Sequence, residues 1–233
     1  MLRFKELTDI SLGSSVWTGY FFLTFGLLSI ALPALIILTQ GNYKRLLAYS
    51  SIEHMGIMAF AIGLGPVGAI AAVMHMVGHA FAKSLLFFGA GDILLRWKST
   101  KIENVRGVLQ AAPFTGILFL FGLLALLAVP PSPLFASELV LAAVGMSVHP
   151  ALTLLFVLLL TIVFVGMMRA AFRMLFSHDP TSVKSAIPGW NRTHTIMAME
   201  LLCLVAAGIF FMTADGYRFA ASIAATFTPF PSL

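Results

Sequence analysis

The feature that most constrains this chain is a series of apolar segments separated by short polar or Pro/Gly-containing breaks, at 16–39, 46–63, 67–95, 112–129, 134–147, 150–174 and 195–213. A helix that crosses a bilayer needs about 20 mostly apolar residues. The pattern therefore predicts an all-α integral membrane protein of about seven transmembrane helices. Composition supports this. Of the 233 residues, 60% are hydrophobic and 10% charged, and a soluble fold could not hide that much apolar surface. Residues 1–233 are expected to form a single transmembrane domain, with a helical membrane region at 16–213 and a C-terminal tail at 214–233.

The net charge of +5 comes from Lys and Arg in short runs between apolar segments. Such runs anchor helix ends at the lipid surface and do not form the continuous basic stripe that nucleic acid requires. Cys203 is the single cysteine, so neither a disulfide framework nor a cysteine metal cluster can form within the chain. The first fifteen residues mix Arg3, Lys5, Glu6 and Asp9, and the apolar run that follows is too long for a signal-peptide core, so no cleaved signal is expected. No nucleotide loop or nucleophile elbow occurs. No cofactor and no independent catalysis are expected.

Segment 134–147 is short for a crossing, and Pro130, Pro131 and Pro133 precede it. Proline removes a backbone donor and interrupts helical bonding, which predicts a helix broken near Pro130–Pro133. Irregular backbone at membrane depth is tolerated where protein buries it or where it lines a wet cavity. A tight interhelical turn is the plainer alternative. The tail, with Pro229 and Pro231, is expected to lie along the interface or against a neighbour.

The informative side chains are ionisable groups inside these segments, because a charge at the bilayer centre costs at least about 2.5–3.5 kcal/mol on insertion scales. His75, His79 and Lys83 are spaced i, i+4, i+8, with only about 40° of drift per step around a helix, and so form a polar line. Imidazole accepts a proton on one nitrogen and releases one from the other, so such a line can relay protons. A lone histidine would more simply bond a neighbouring helix, but three groups in register favour the relay. The i, i+4 histidine pair could chelate zinc, although a third ligand is missing locally and Lys83 stands alongside. The second segment carries Lys44 and Arg45 at its start and Glu53 and His54 two to three turns inside, with Tyr49, Ser50 and Ser51 between them. Glu138 follows the proline cluster, where Ser137 and loosened backbone could admit water. Glu200 and Asp92 are placed nearer segment ends, within reach of headgroups, and rank below the others.

Three phrases, KRLLAYSSIEHMG at 44–56, HMVGHAFAKSLLFFGAG at 75–91 and PPSPLFASEL at 130–139, resemble the antiporter-like subunits shared by respiratory complex I, Mrp-type cation/proton antiporters and membrane-bound hydrogenases. The Glu-His of SSIEHMG is most similar to the hydrogenase-4 or formate hydrogenlyase branch. The resemblance covers only the second half of a fourteen-helix module built of inverted repeats. By resemblance, Lys44 and Lys83 are central-axis lysines, His75 and His79 connect them, and Glu138 is the charged residue of the broken helix. Val129 stands where the family usually has a glycine before its paired prolines.

The resemblance implies a proton-translocating subunit of a hydrogenase-type or complex I-like redox-driven pump. It implies partner membrane subunits, with a nickel-iron hydrogenase module among the candidates, in a prokaryotic cytoplasmic membrane. The alternative is part of a sodium/proton antiporter or a partner-coupled ion-uptake module without redox chemistry. A third reading is a subunit that only packs between others. The proton-pathway residues expected are Lys44, Glu53, His54, His75, His79, Lys83 and Glu138.

Overall fold

Four prolines, Pro66, Pro113, Pro133 and Pro150, each open a helix at its first turn, where the missing N–H costs nothing. In the computed structural model, which describes residues 1–177 and 189–227, they divide the chain into α1 (Leu2–Leu12), α2 (Val16–Thr39), α3 (Tyr43–Gly63), α4 (Pro66–Trp97), a short α5 (Val108–Ala111), α6 (Pro113–Leu126), α7 (Pro133–Val148), α8 (Pro150–Leu175), α9 (Arg192–Phe211) and α10 (Ala214–Phe227). Among the described residues there is no β-strand. Five helices, α2, α3, α4, α8 and α9, are long and apolar enough to cross a membrane; α6 and α7 are shorter.

The structure begins the second apolar segment three residues earlier than expected. Asn42 caps α3 by accepting from the backbone N–H groups of Lys44 and Arg45, so both cations lie within the first helical turn. α2 packs along α3, and Gly26 and Gly56 let the backbones touch: a Cβ on Gly56 would sit 2.8 Å from the Gly26 carbonyl oxygen. Small residues permit close helix approach in lipid, where apolar burial supplies little drive.

α4 is the central helix, packed on α3, α6, α7, α9 and α10. The broken helix is present. α6 and α7 follow one another along α4 in the opposite direction. Thr115 meets Asp92, Gly122 packs on Leu85 and Leu86, Gly78 abuts Pro133 and Leu134, and Ser137 meets His75. Between α6 and α7 the backbone leaves the helix at Leu127–Ser132, with Ala128 at φ 54° and a cis Pro130–Pro131 bond. Ser132 closes the break. Its hydroxyl donates to the Ala125 carbonyl (2.8 Å) and accepts from the Leu134 N–H (3.0 Å).

Besides the single turn of α5, two helices were not foreseen. α1 carries a buried Lys5 that pairs with Asp9 and Thr18. The described part of the tail is α10, which buries Ala220 and Ala224 against α4. Pro229 and Pro231 lie outside the described residues.

Candidate functional site

α3, α4 and α7 meet at mid-bundle around a set of buried polar side chains. Ser50, Glu53, His54, His75, Lys83 and Ser137 are all buried, and Glu138 is half-buried. Each must bond inside the protein, since a polar group left unpaired out of water costs several times what a paired one does.

The bonds run across helices. The Lys83 ammonium donates to the Leu47 carbonyl and to Ser50 Oγ, each at 2.6 Å. His54 Nδ1 lies 3.0 Å from His75 Nε2, and His75 Nδ1 lies 2.9 Å from Ser137 Oγ. Glu53 Oε2 is 3.6 Å from His54 Nε2. The ring of His79 sits 4.8 Å from that of His54, and its buried Nδ1 has no hydrogen-bond partner among the described residues.

The network assigns the hydrogens. With the single Ser137 hydroxyl hydrogen given to the Leu134 carbonyl at 2.8 Å, its oxygen accepts from His75 Nδ1–H. His75 Nε2 is then the bare nitrogen and accepts from His54 Nδ1–H, which leaves His54 Nε2 bare and facing Glu53. The result is a directed chain, His54 to His75 to Ser137 to a backbone carbonyl, with an open acceptor at the Glu53 end.

A cavity of about 360 Å³ opens beside this chain. Ser50, Glu53, His54 and Glu138 line it, as do Leu126, Leu127 and Ala128 of the helix break. The irregular backbone thus lines a cavity with polar groups on its wall, the setting in which such backbone is tolerated at membrane depth. Leu160, Phe164 and Met167 of α8 supply the apolar side.

Most of the expected residues converge here, though not in the expected way. His75, His79 and Lys83 do lie along α4, but none bonds the next along that helix; the hydrogen-bond partners of His75 and Lys83 come from α3 and α7. Lys44 stays in the first turn of α3, about two turns before Ser50, and joins none of these hydrogen bonds.

Asp92 and Glu200 turn inward, not toward headgroups. Asp92 is paired with Arg96 at 2.9 Å and accepts from Thr115 Oγ1. Thr115 in turn accepts from His194 Nε2 at 2.9 Å, because His194 Nδ1 already accepts the Asn191 N–H in the cap of α9. Sequence reasoning missed this second polar cluster. Its one local signal is the Asn191-x-x-His194 spacing at a helix start. Glu200 accepts from Ser84 Oγ on α4, and its second oxygen is buried without a partner among the described residues.

Comparison with known proteins agrees with this fold. Residues 1–164 match the family described as NADH:quinone oxidoreductase/Mrp antiporter, TM. The chain is 36% identical over 153 residues to the hydrogenase-4 component F homolog of Methylacidiphilum infernorum (isolate V4), covering 65% of this chain and 32% of that one. It is 32% identical over 153 residues to formate hydrogenlyase subunit 3 of Escherichia coli (strain K12), covering 60% and 25% respectively. In structure it resembles a chain of respiratory complex I from Thermus thermophilus with bound NADH, with a TM-score of 0.77 at 23% identity over 91% of this chain and 45% of that one. The chain spans about a third or less of the length of the curated relatives it matches. With most of its length matched and the same fold, the chain belongs to the NADH:quinone oxidoreductase/Mrp antiporter membrane family.

Proposed function

We propose that this chain is a proton-translocating part of a redox-driven membrane complex, and that protons pass through the cluster between α3, α4 and α7. The observation that carries the reading is the set of exchangeable groups gathered there around one cavity. Lys83 bonds Ser50, Glu53 faces His54, and His54 bonds His75 beside a cavity that also exposes Glu138.

In this mechanism Lys83 is the storage group. A change of charge in a neighbouring subunit alters where its proton is most stable, and Ser50 and cavity water pass it toward Glu53. His54 receives a proton on its bare Nε2 and releases the one on Nδ1 to His75. His75 cannot pass its Nδ1 proton onward while Ser137 donates to a carbonyl, so delivery to Glu138 requires cavity water. His79, its ring tilted against that of His54, is a second acceptor. Lys44 reloads the chain from the start of α3. α6 and α7 count together as one broken crossing, so two of the seven apolar segments make a single passage. The partners are membrane subunits, with a nickel-iron hydrogenase module first among them, in a prokaryotic cytoplasmic membrane. The hydrogenase-4 and formate hydrogenlyase relatives support that choice.

The test is proton pumping in vesicles containing the purified complex, with intact protein and Lys83→Ala. Loss of pumping with electron transfer retained is the expected outcome; unchanged pumping makes Lys83 structural and overturns the reading. Sodium-dependent proton movement without redox substrates would favour the antiporter alternative. Mass spectrometry of what copurifies names the redox partner.

A further inference from the structure

We propose that His54, His75 and Glu138 form a binding site for a divalent transition-metal ion of the zinc class. One nitrogen from each ring and one carboxylate oxygen of Glu138 all lie within 4.8 Å of one another. The i, i+4 pair on α4 lacked a third ligand nearby in sequence. Here the set is assembled from three helices, and His79 is not part of it.

His54 Nδ1 and His75 Nε2 point at one another across 3.0 Å, sharing one hydrogen. Two nitrogens bound tetrahedrally at about 2.0–2.1 Å from zinc would be roughly 3.4 Å apart. The nitrogens would therefore part by only a few tenths of an ångström, while each ring turns by roughly 35° to aim its lone pair at the ion. Glu138 is half-buried on the cavity wall, where its carboxylate can swing to close the remaining distance.

The groups behind the ligands fit as well. A metal-bound imidazole donates its other N–H to a carboxylate, carbonyl or hydroxyl, which fixes the ring and the tautomer. His75 already donates from Nδ1 to Ser137. For His54 to ligate through Nδ1 its hydrogen must move to Nε2, and there Glu53 Oε2 waits at 3.6 Å. No proton is gained or lost in that shift. The cavity leaves room for water in a fourth position. Lys83 directs its charge at Leu47 and Ser50, and Glu53 and Glu138 supply two carboxylates to offset it and the ion.

If protons pass as proposed above, an ion in this position holds the chain shut, because it replaces the hydrogen that His54 gives to His75. That consequence rests on the relay reading; the site itself does not.

The test is titration of the full chain, purified in detergent without a polyhistidine tag, with cobalt(II) as the spectroscopic probe and zinc(II) as competitor. Expected are visible absorption bands of four- or five-coordinate cobalt at one ion per chain, displaced by zinc and untouched by magnesium. His75→Ala and Glu138→Gln should each weaken zinc binding by at least the roughly 10- to 100-fold that loss of a group behind a ligand costs, while His149→Ala, outside the cluster, should not. Circular dichroism checks the fold of each variant, and His54→Gln replaces any that fails it. Only six-coordinate cobalt, or undiminished zinc affinity in the folded ligand variants, overturns the site. No transport measurement enters, so the relay and the metal site stand or fall separately.

Discussion

Ser137→Ala tests the hydrogen assignment on which the directed chain depends. Ser137 is wholly buried and is the acceptor that keeps the hydrogen of His75 on Nδ1. Removing its hydroxyl leaves the Leu134 carbonyl in its helix but strands the His75 Nδ1–H. A buried donor without a partner costs about 1–3 kcal/mol. His75 can escape that cost by moving its hydrogen to Nε2, which reverses the bond with His54 and leaves His54 Nδ1 as acceptor. Both outcomes are measurable. Either unfolding in detergent becomes easier by about 1–3 kcal/mol, or the tautomer preference of His75 shifts by roughly 5- to 150-fold, the equivalent ratio. Nitrogen NMR of labelled histidines reads the tautomer, and denaturant titration reads the stability. Ser137→Thr keeps the hydroxyl and should restore both. A variant with unchanged stability and His75 still carrying its hydrogen on Nδ1 would refute the assignment.

Three further substitutions probe the packing and the polar bonds around the site. Gly26→Ala would drive a methyl to about 2.5 Å from the Phe60 backbone nitrogen, and should cost roughly 1–3 kcal/mol by forcing α2 from α3. Gly91→Ala on α4 meets nothing within 4 Å and should instead stabilise by about 0.5–1 kcal/mol; thermal melting of the pair gives the comparison, and equal shifts would sink it. Thr115→Val leaves Asp92 and His194 each short of a bond and should cost about 1–3 kcal/mol. The loss should show first as faster amide exchange in the opening turns of α9, and uniform exchange along α9 would count against it.

Much of the fold was legible because segment length and apolar run are set by the bilayer. The proline cluster at Pro130, Pro131 and Pro133 marked the break ahead of α7. α1 and α10 escaped notice because both are short and carry ordinary mixtures of polar and apolar residues, without a membrane-length signal. The line His75–His79–Lys83 was legible as spacing, since one helix fixes it. Its bonding was not, because the partners His54, Ser137 and Ser50 lie 21, 62 and 33 residues away and packing alone brings them close. Asp92 and Glu200 were misplaced for a related reason. Helices that are apolar nearly all round do not announce which face meets protein, so depth along the segment was a poor guide to direction.

The proline break ties these observations together. A continuous helix from 113 to 148 would be about 54 Å long, well beyond a hydrocarbon core of about 30 Å. α4, its antiparallel neighbour, has 32 residues and outruns that core too, so length alone does not explain why α6 and α7 are separate. What the break changes is local. Over Leu127–Ser132 the chain gives up the regular ladder, Ser132 ties off the loose ends, and the backbone at Leu126–Ala128 becomes the wall of a cavity. Helix α7 restarts at Pro133 with Ser137 and Glu138 only one turn further on. An unbroken helix would fill that space with its own backbone and separate Glu138 from Glu53 and His54. The same prolines that interrupt the crossing therefore place a hydroxyl under His75 and a carboxylate on the cavity beside it. A sequence change that heals the break, such as replacing Pro130 and Pro131 by alanine, should close the cavity before it unfolds the bundle.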